Sequence, residues 1–145
     1  PHANVVLLDS GRKGVLGDKQ LDWLAKQLDE RADKPALIFS HYNPYNNRGV
    51  RPIKGMRDGS SLLKLLAERK HAKAYFYGHT HEWQYDRLDN LHLINQPAVS
   101  YYFGKGHAHG WVDMKLTRTS VDLELHCINR THKQHSDRRQ FSLKD

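Results

Sequence analysis

The chain has 145 residues and a formal net charge of +7, with 38% hydrophobic and 27% charged residues. This length and balance predict one globular domain and exclude a disordered chain. The single cysteine excludes an intramolecular disulfide and a cysteine-based zinc knuckle, and no apolar stretch reaches the length of a membrane span.

Strands and helices alternate in the first half of the chain. Apolar runs predict buried strands over residues 4–8, 36–40 and 73–77, whereas leucines at helical spacing predict helices over 18–31 and 60–68. The order β-α-β-α-β is typical of a partly parallel sheet.

The predicted helices start at residues that commonly cap helices. Asp18 is a suitable N-cap for the first helix, and Asp58 or Ser60 for the second. Trp23 is expected to pack into the core beside the first helix. Residues 42–58, before the second helix, are predicted to form a long loop, and loops of this size in a compact domain are usually functional or mobile.

Only strands are predicted in the second half. Residues 83–88 and 91–95 alternate around a turn and indicate a hairpin, and 111–116 with 121–128 indicate a second antiparallel pair. We expect residues 1–128 to form the domain portion and the polar, basic residues 129–145 to form a loosely held tail. The predicted fold class is therefore α/β, a β-α-β-α-β unit followed by antiparallel strands.

Three histidines follow two of the predicted strands directly. His41 lies in Ser40-His41-Tyr42-Asn43-Pro44, and His79 and His81 lie in Gly78-His79-Thr80-His81. In open α/β sheets, catalytic and ligand-binding groups gather where strands end at their carboxyl edge. Imidazoles suit zinc, iron, nickel and manganese, so the three histidines are candidate metal ligands.

Each histidine signal is weak alone, but four motifs occur in a characteristic order. In chain order they are Leu7-Leu8-Asp9-Ser10, Gly17-x-x-Gln20-Leu21-x-Trp23-Leu24, Ser40-His41-x-x-Pro44 and Gly78-His79-x-His81. This order resembles the C-terminal half of the calcineurin-like metallophosphoesterase superfamily, closest to its bacterial class III cyclic-nucleotide phosphodiesterase branch. The resemblance covers most of residues 4 to about 117 and implies the C-terminal portion of a metallophosphoesterase-type α/β sandwich.

The resemblance also implies a dinuclear metal site that hydrolyses phosphodiesters or phosphomonoesters, with cyclic nucleotides as the first expectation. The two divalent ions would be manganese, iron or zinc. The histidine matching His41 and the one matching His79 bind one metal in the family, and the one matching His81 binds the other. In the family, these metals hold the phosphoryl group and supply the attacking hydroxide.

Several ligand motifs of the family are absent from this sequence. It contains no Asp-x-His, Gly-Asp-x-x-Asp or Gly-Asn-His-Asp/Glu, and no catalytic residue is assigned within it. Asp9 is interpreted as a structural cap and Glu82 as a solvated side chain. Three neutral histidines should not balance two dications, so we expect one metal or none and an inactive or weakly active isolated chain.

A partial domain would leave an open sheet edge and an apolar face, which tend to pair with another chain. We therefore expect a partner, either a missing N-terminal half or a second copy. The chain begins at Pro1 without a methionine, and we expect it to be a piece of a longer polypeptide. It carries no readable targeting segment, but in a piece of a longer chain this absence says little, and the cytoplasm is only the default expectation.

Three further residues are candidate contacts for a phosphoester substrate. Arg48 and Arg51 could clamp a phosphate because a guanidinium presents a planar fork to oxyanions, and His107 lies in a glycine-rich loop. A solvated loop is the alternative for all three. Two other functions stay open: a nucleic-acid or polyphosphate binding module that uses the basic runs, and an inactive half-domain. No membrane partner is expected.

Overall fold

The computed structural model describes residues 2–45, 54–101 and 106–144. Two helices and eight strands are present in these ranges, and neither helix has the length and apolar character needed to cross a membrane. In chain order the elements are β1 Asn4–Leu7, α1 Asp18–Glu30, β2 Ala36–Phe39, α2 Gly59–Ala67, β3 Ala72–Tyr77, β4 Gln84–Leu88, β5 Leu91–Asn95, β6 Gly110–Leu116, β7 Ser120–Cys127 and β8 Arg138–Ser142.

The first five strands form one mixed sheet in the order β1-β2-β3-β5-β4. Neighbouring strands are parallel from β1 to β5, and β4 is antiparallel to β5. Every residue of β3 and β5 is buried, as expected for central parallel strands covered on both faces. Parallel strands carry their carboxyl ends to one edge, so the loops after β2 and β3 lie side by side.

The two faces of this sheet are covered by different layers. On one face, Leu24 of α1 and Leu62 of α2 pack in a core with Ile38 and Tyr75 of the sheet. On the other face lies a three-stranded antiparallel sheet in the order β6-β7-β8, whose buried side chains form a second core with Ile94 and its neighbours. The molecule is an α/β/β arrangement of three layers, which confirms the predicted α/β class with its antiparallel continuation.

The C-terminal segment is not the loosely held tail that its composition indicates, and that part of the prediction is wrong. Residues 138–142 form β8, which pairs with β7 in register from Ser120↔Ser142 to Glu124↔Arg138. Phe141 and Leu143 are buried in the second core. Burial of these two apolar side chains stabilises the C-terminal segment, although most of the residues around them are basic or polar.

The start of α1 differs from the prediction, whereas Asp58 is at the N-cap of α2, as predicted. Gly17 and not Asp18 occupies the N-cap position of α1, and Asp58, at the N-cap of α2, makes no capping bond there. Its carboxylate instead accepts hydrogen bonds from Leu16 N at 2.9 Å and Gly17 N at 2.8 Å. Asp58 therefore joins the starts of the two helices, a contact that neither helix alone predicts.

β1 is an edge strand with two exposed apolar side chains. Val5 is 58% exposed and Leu7 is 73% exposed, while Trp23 of α1 is 46% exposed beside them. The prediction that Trp23 packs into the core is therefore wrong, because Leu24 and Leu28 face the sheet in its place. Val5, Leu7 and Trp23 line one shallow groove at the border of the sheet.

His92 is a buried titratable group on the face between the two sheets. Its Nδ1 lies 2.6 Å from the hydroxyl of Tyr85, and its ring stacks on Phe141 with centroids 4.3 Å apart. Burial, followed by the positive charges of Arg87 and Lys73, lowers the pKa of His92 to about 4 from its ordinary value of 6.5. The folded state therefore holds this imidazole neutral.

We expect the free energy of unfolding to fall as the pH drops from 6.5 toward 4. In that window the unfolded chain binds a proton at position 92 and the folded chain does not, so acid favours unfolding. His92→Gln should reduce the slope of stability against pH, measured by urea unfolding at several pH values. The exposed His2→Gln is the control, and an unchanged slope in His92→Gln would contradict the prediction.

Candidate metal centre

Backbone hydrogen bonds join the two histidine loops at the carboxyl edge of the sheet. Ser40 N donates to Phe76 O at 3.0 Å, and Gly78 N donates to His41 O at 3.0 Å. These bonds continue the parallel register of β2 and β3, in which Phe39 pairs with Phe76. The loop after β2 is thereby fixed against the loop after β3.

His41 and His79 lie in direct contact at this edge. His79 Nδ1 is 3.3 Å from His41 Nε2, and the ring centroids are 5.2 Å apart. Two nitrogens bound to one tetrahedral zinc at about 2.0–2.1 Å lie roughly 3.3 Å from each other. The observed separation therefore fits both a hydrogen bond between the imidazoles and a pair of ligands to one metal.

The loop that carries His79 and His81 has an unusual backbone. Both residues adopt the left-handed region, with φ of 70° and 59°, which costs free energy for residues other than glycine. Between them, Thr80 is buried, its N donates to Gly78 O at 2.8 Å, and its hydroxyl accepts a hydrogen bond from Asn95 Nδ2. Asn95 is itself 1% exposed, so the end of β5 holds this strained loop in place.

His81 lies on the wall of the same cavity rather than against the other two rings. A cavity of 350 Å³ is lined by His41, His79 and His81. The His81 ring contacts Tyr101, with centroids 4.8 Å apart. Within residues 2–45, 54–101 and 106–144, no three His, Cys, Asp or Glu side chains are arranged as a group that could hold a metal ion. That His41, His79 and His81 bind metal therefore stays a prediction.

Two of the three histidines are held in the form that binds metals. Burial lowers the pKa of His79, and His41 and His81 lower it further. Burial also lowers the pKa of His81, as do His41 and His107, against an opposing hydrogen bond to Tyr101. Neutral imidazoles result at pH 7, and the neutral ring is the form that donates a lone pair to a transition metal.

Contacts with β3, with α2 and with the residues before α2 stabilise the loop that carries His41. Tyr75 Oη donates to Tyr42 O at 2.8 Å, and Met56 N donates to Asn43 O at 2.8 Å. Gly59, the first residue of α2, approaches the loop so closely that an added Cβ would lie 2.1 Å from Pro44 O. These supporting contacts link positions far apart in the chain, and no motif in the sequence reveals them.

The remaining predicted site residues have different outcomes. His107 is partly buried, and its Nε2 is 3.9 Å from Glu82 Oε1. Glu82 is 8% exposed and also accepts a hydrogen bond from Gln84 at 2.6 Å, so the interpretation of Glu82 as solvated is wrong. Arg48 and Arg51 lie outside the described residues.

Asp9 has a local structural contact. Its Oδ1 accepts a hydrogen bond from Gly11 N at 2.7 Å, and the side chain of Gln20 bridges its backbone N and O. Asp9 and Gln20 belong to two of the motifs that carry the family resemblance. The Gln20 amide joins the start of α1 to the backbone after β1, whereas the Asp9 carboxylate holds the turn at Gly11.

Two curated proteins with similar sequences are phosphodiesterases. The chain is 31% identical over 116 residues to the 3′,5′-cyclic adenosine monophosphate phosphodiesterase CpdA of Pseudomonas aeruginosa, across 75% of this chain and 42% of that protein. It is 35% identical over 89 residues to the glycerophosphodiester phosphodiesterase GpdQ of Enterobacter lignolyticus, across 60% and 32%. A comparison with models of known protein families finds no match.

The fold is also found among solved structures. A dimetal phosphatase from Danio rerio superposes with a TM-score of 0.70 at 17% identity, over 89% of this chain and 39% of that one. The likeness at this identity concerns the fold. The chain spans less than half the length of all three relatives. In sequence and in fold, it corresponds to the C-terminal part of a calcineurin-like metallophosphoesterase.

Proposed function

We propose that this chain is part of a metal-dependent phosphoesterase in which His41 and His79 hold one divalent ion and His81 holds a second. The observation that carries the proposal is the 3.3 Å separation of His41 Nε2 and His79 Nδ1 at the carboxyl edge of the sheet. Divalent ions bound there would neutralise the charge that builds up on the phosphoryl oxygens during hydrolysis. The substrate is a small phosphodiester, and a cyclic nucleotide is our first choice.

Each part of the described chain has a role in this proposal. Partial burial and the neighbouring histidines lower the pKa of His79 and His81, which keeps their lone pairs available at pH 7. Thr80 and Asn95 hold the loop in its left-handed conformation. We propose that His107, which lies against Glu82, contacts the substrate, and that Arg48 and Arg51 contact its phosphate.

The proposal requires negatively charged ligands in addition to the three histidines. Three neutral imidazoles contribute no negative charge, whereas two divalent ions bring four positive charges, so carboxylate ligands have to come from another segment. The exposed edge of β1, with Leu7 73% exposed, suits a partner strand. We propose that an N-terminal segment or a second copy pairs there, and that the isolated chain is inactive or nearly so.

A chimera tests the proposed function directly. The part of the Pseudomonas aeruginosa relative that precedes its aligned region would be fused to this chain and assayed with Mn²⁺ and bis-p-nitrophenyl phosphate. We expect turnover by the chimera, none above background by the chain alone, and a loss of at least about a hundredfold in the His79→Ala chimera.

The control is the His2→Ala chimera, which changes an exposed histidine and should keep full activity. A folded chimera that binds Mn²⁺ but hydrolyses neither this ester nor 3′,5′-cyclic AMP would contradict the proposed function. Full activity of the isolated chain would contradict the proposal that its ligand set is incomplete.

A further inference from the structure

A second cavity, of 560 Å³, lies at the opposite end of β3 from the histidine loops. Its walls come from the turn before β3, from the β4–β5 hairpin and from β8. From Ala72 at this end to Tyr77 beside the histidine loops, β3 is roughly 17 Å long, at about 3.3 Å per residue. None of the metal-binding candidates lines it.

Positive charge dominates the lining of this cavity. Lys70, Lys73, Arg87 and Lys144 all contribute, and no carboxylate lines it among the residues that the structure describes. Four cations around one concave surface create a positive potential that attracts anions. Burial is the main cause of the lowered pKa of His92, which also lines the cavity, and the positive charges of Arg87 and Lys73 lower it further.

A β-bulge determines the position of Lys73, one of these four cations. Ala36 of β2 pairs with Ala72, but the next residue, Leu37, pairs with Ala74, so Lys73 is the extra residue of β3. Bulges re-aim a side chain and locally disrupt the ladder. Lys73, the residue displaced by the bulge, lines the cavity and is only 6% exposed.

Hydrogen-bonding side chains of β4 and β5 also line the cavity. Arg87 pairs with His92 across the β4–β5 ladder, so its guanidinium and the imidazole share one face. The hydroxyl of Tyr85 is fixed by His92 at 2.6 Å. The volume falls within the range of roughly 300–1,000 Å³ that is usual for small-molecule sites.

We propose that this basic cavity binds the phosphate group of a small molecule. Arg87 supplies the planar fork that suits phosphate oxygens, and Lys73 supplies a buried positive charge. Lys70 and Lys144 add two further positive charges to the lining. The stacked rings of His92 and Phe141, 4.3 Å apart, offer an apolar wall for the rest of the ligand.

Inorganic phosphate titrated into the full chain tests the site. The titration is carried out calorimetrically at pH 7 with EDTA present, so that no divalent ion at His41 and His79 can bind phosphate. We expect saturable binding of one phosphate, weakened about tenfold by Arg87→Gln and again by Lys70→Gln. The matched control is Lys26→Gln on α1, which also removes one positive charge and should change nothing.

A nuclear magnetic resonance titration shows where phosphate binds. We expect the ring signals of His92 to shift to saturation while those of His79 stay unchanged. The proposal would be overturned if chloride at the same ionic strength gave the same response. It would equally be overturned if Lys26→Gln weakened binding as much as Arg87→Gln, or if only the His79 signals moved.

Discussion

His79→Ala is expected to weaken zinc binding by the isolated chain by at least about a hundredfold. The reason is that the His79 and His41 nitrogens lie 3.3 Å apart, so removing one imidazole destroys the pair on which a bound ion would rest. Changes to residues that only support metal ligands cost about 10–100-fold in affinity, so the loss of a ligand should cost no less. Competition with a zinc indicator would measure the affinity, and elemental analysis the stoichiometry.

The chain contains 11 histidines, so weak zinc binding elsewhere has to be separated from the predicted site. His2→Ala removes an exposed histidine and should leave the tightest binding step unchanged. His41→Ala should match His79→Ala. If the parent chain binds no zinc tightly, or if His79→Ala binds it as the parent does, the prediction is wrong.

Gly59→Ala is expected to destabilise the fold by about 1 kcal/mol, the difference between a steric cost of ~2 kcal/mol and a gain in helix propensity of ~1 kcal/mol. Alanine is favoured over glycine in a helix by about 1 kcal/mol, so helix propensity alone predicts a gain in stability. The added Cβ, however, would lie 2.1 Å from the Pro44 carbonyl oxygen. Backbone atoms cannot give way as a flexible side chain can, and overpacking of this kind costs roughly 1–3 kcal/mol. The steric cost outweighs the propensity, and urea unfolding would measure the difference.

Ser60→Ala is the matched control, because Ser60 is the next residue of α2 and is exposed. Its effect should stay within about 0.5 kcal/mol. Gly59→Ala should also weaken zinc binding, since Pro44 belongs to the loop that carries His41. Equal stability of Gly59→Ala and the parent chain would contradict the close contact between α2 and this loop.

Hydrophobic pattern was sufficient to predict most of the sheet and the class of fold. Residues 36–39 and 74–77 are continuous apolar runs, and this is how central parallel strands differ from half-exposed ones. The sequence pattern did not predict β8, because Phe141 is the only buried residue within that strand. A single apolar side chain carries no periodicity, so pairing with β7 could not be read from the segment itself.

The candidate centre was only partly predictable. Parallel strand ends meet at one edge, so the contact of His41 with His79 follows from two apolar runs and two loop motifs. The bond from Asn95 to Thr80 and that from Tyr75 to Tyr42 depend on tertiary packing. Glu82 was misjudged for the same reason, because its burial depends on Gln84 and on His107, which lies 25 positions further along the chain.

The border strand β1 determines where additional ligands could enter. A neighbour joined to β1 in the parallel sense would terminate about 10 Å from the end of β2, at two spacings of roughly 4.8 Å. Its last residue would then stand in the same row as His41 and His79, beyond the turn at Asp9. Acidic ligands on that strand would approach the imidazoles along the edge of the sheet. The solvent-facing side of the cleft would then stay open to a phosphoester.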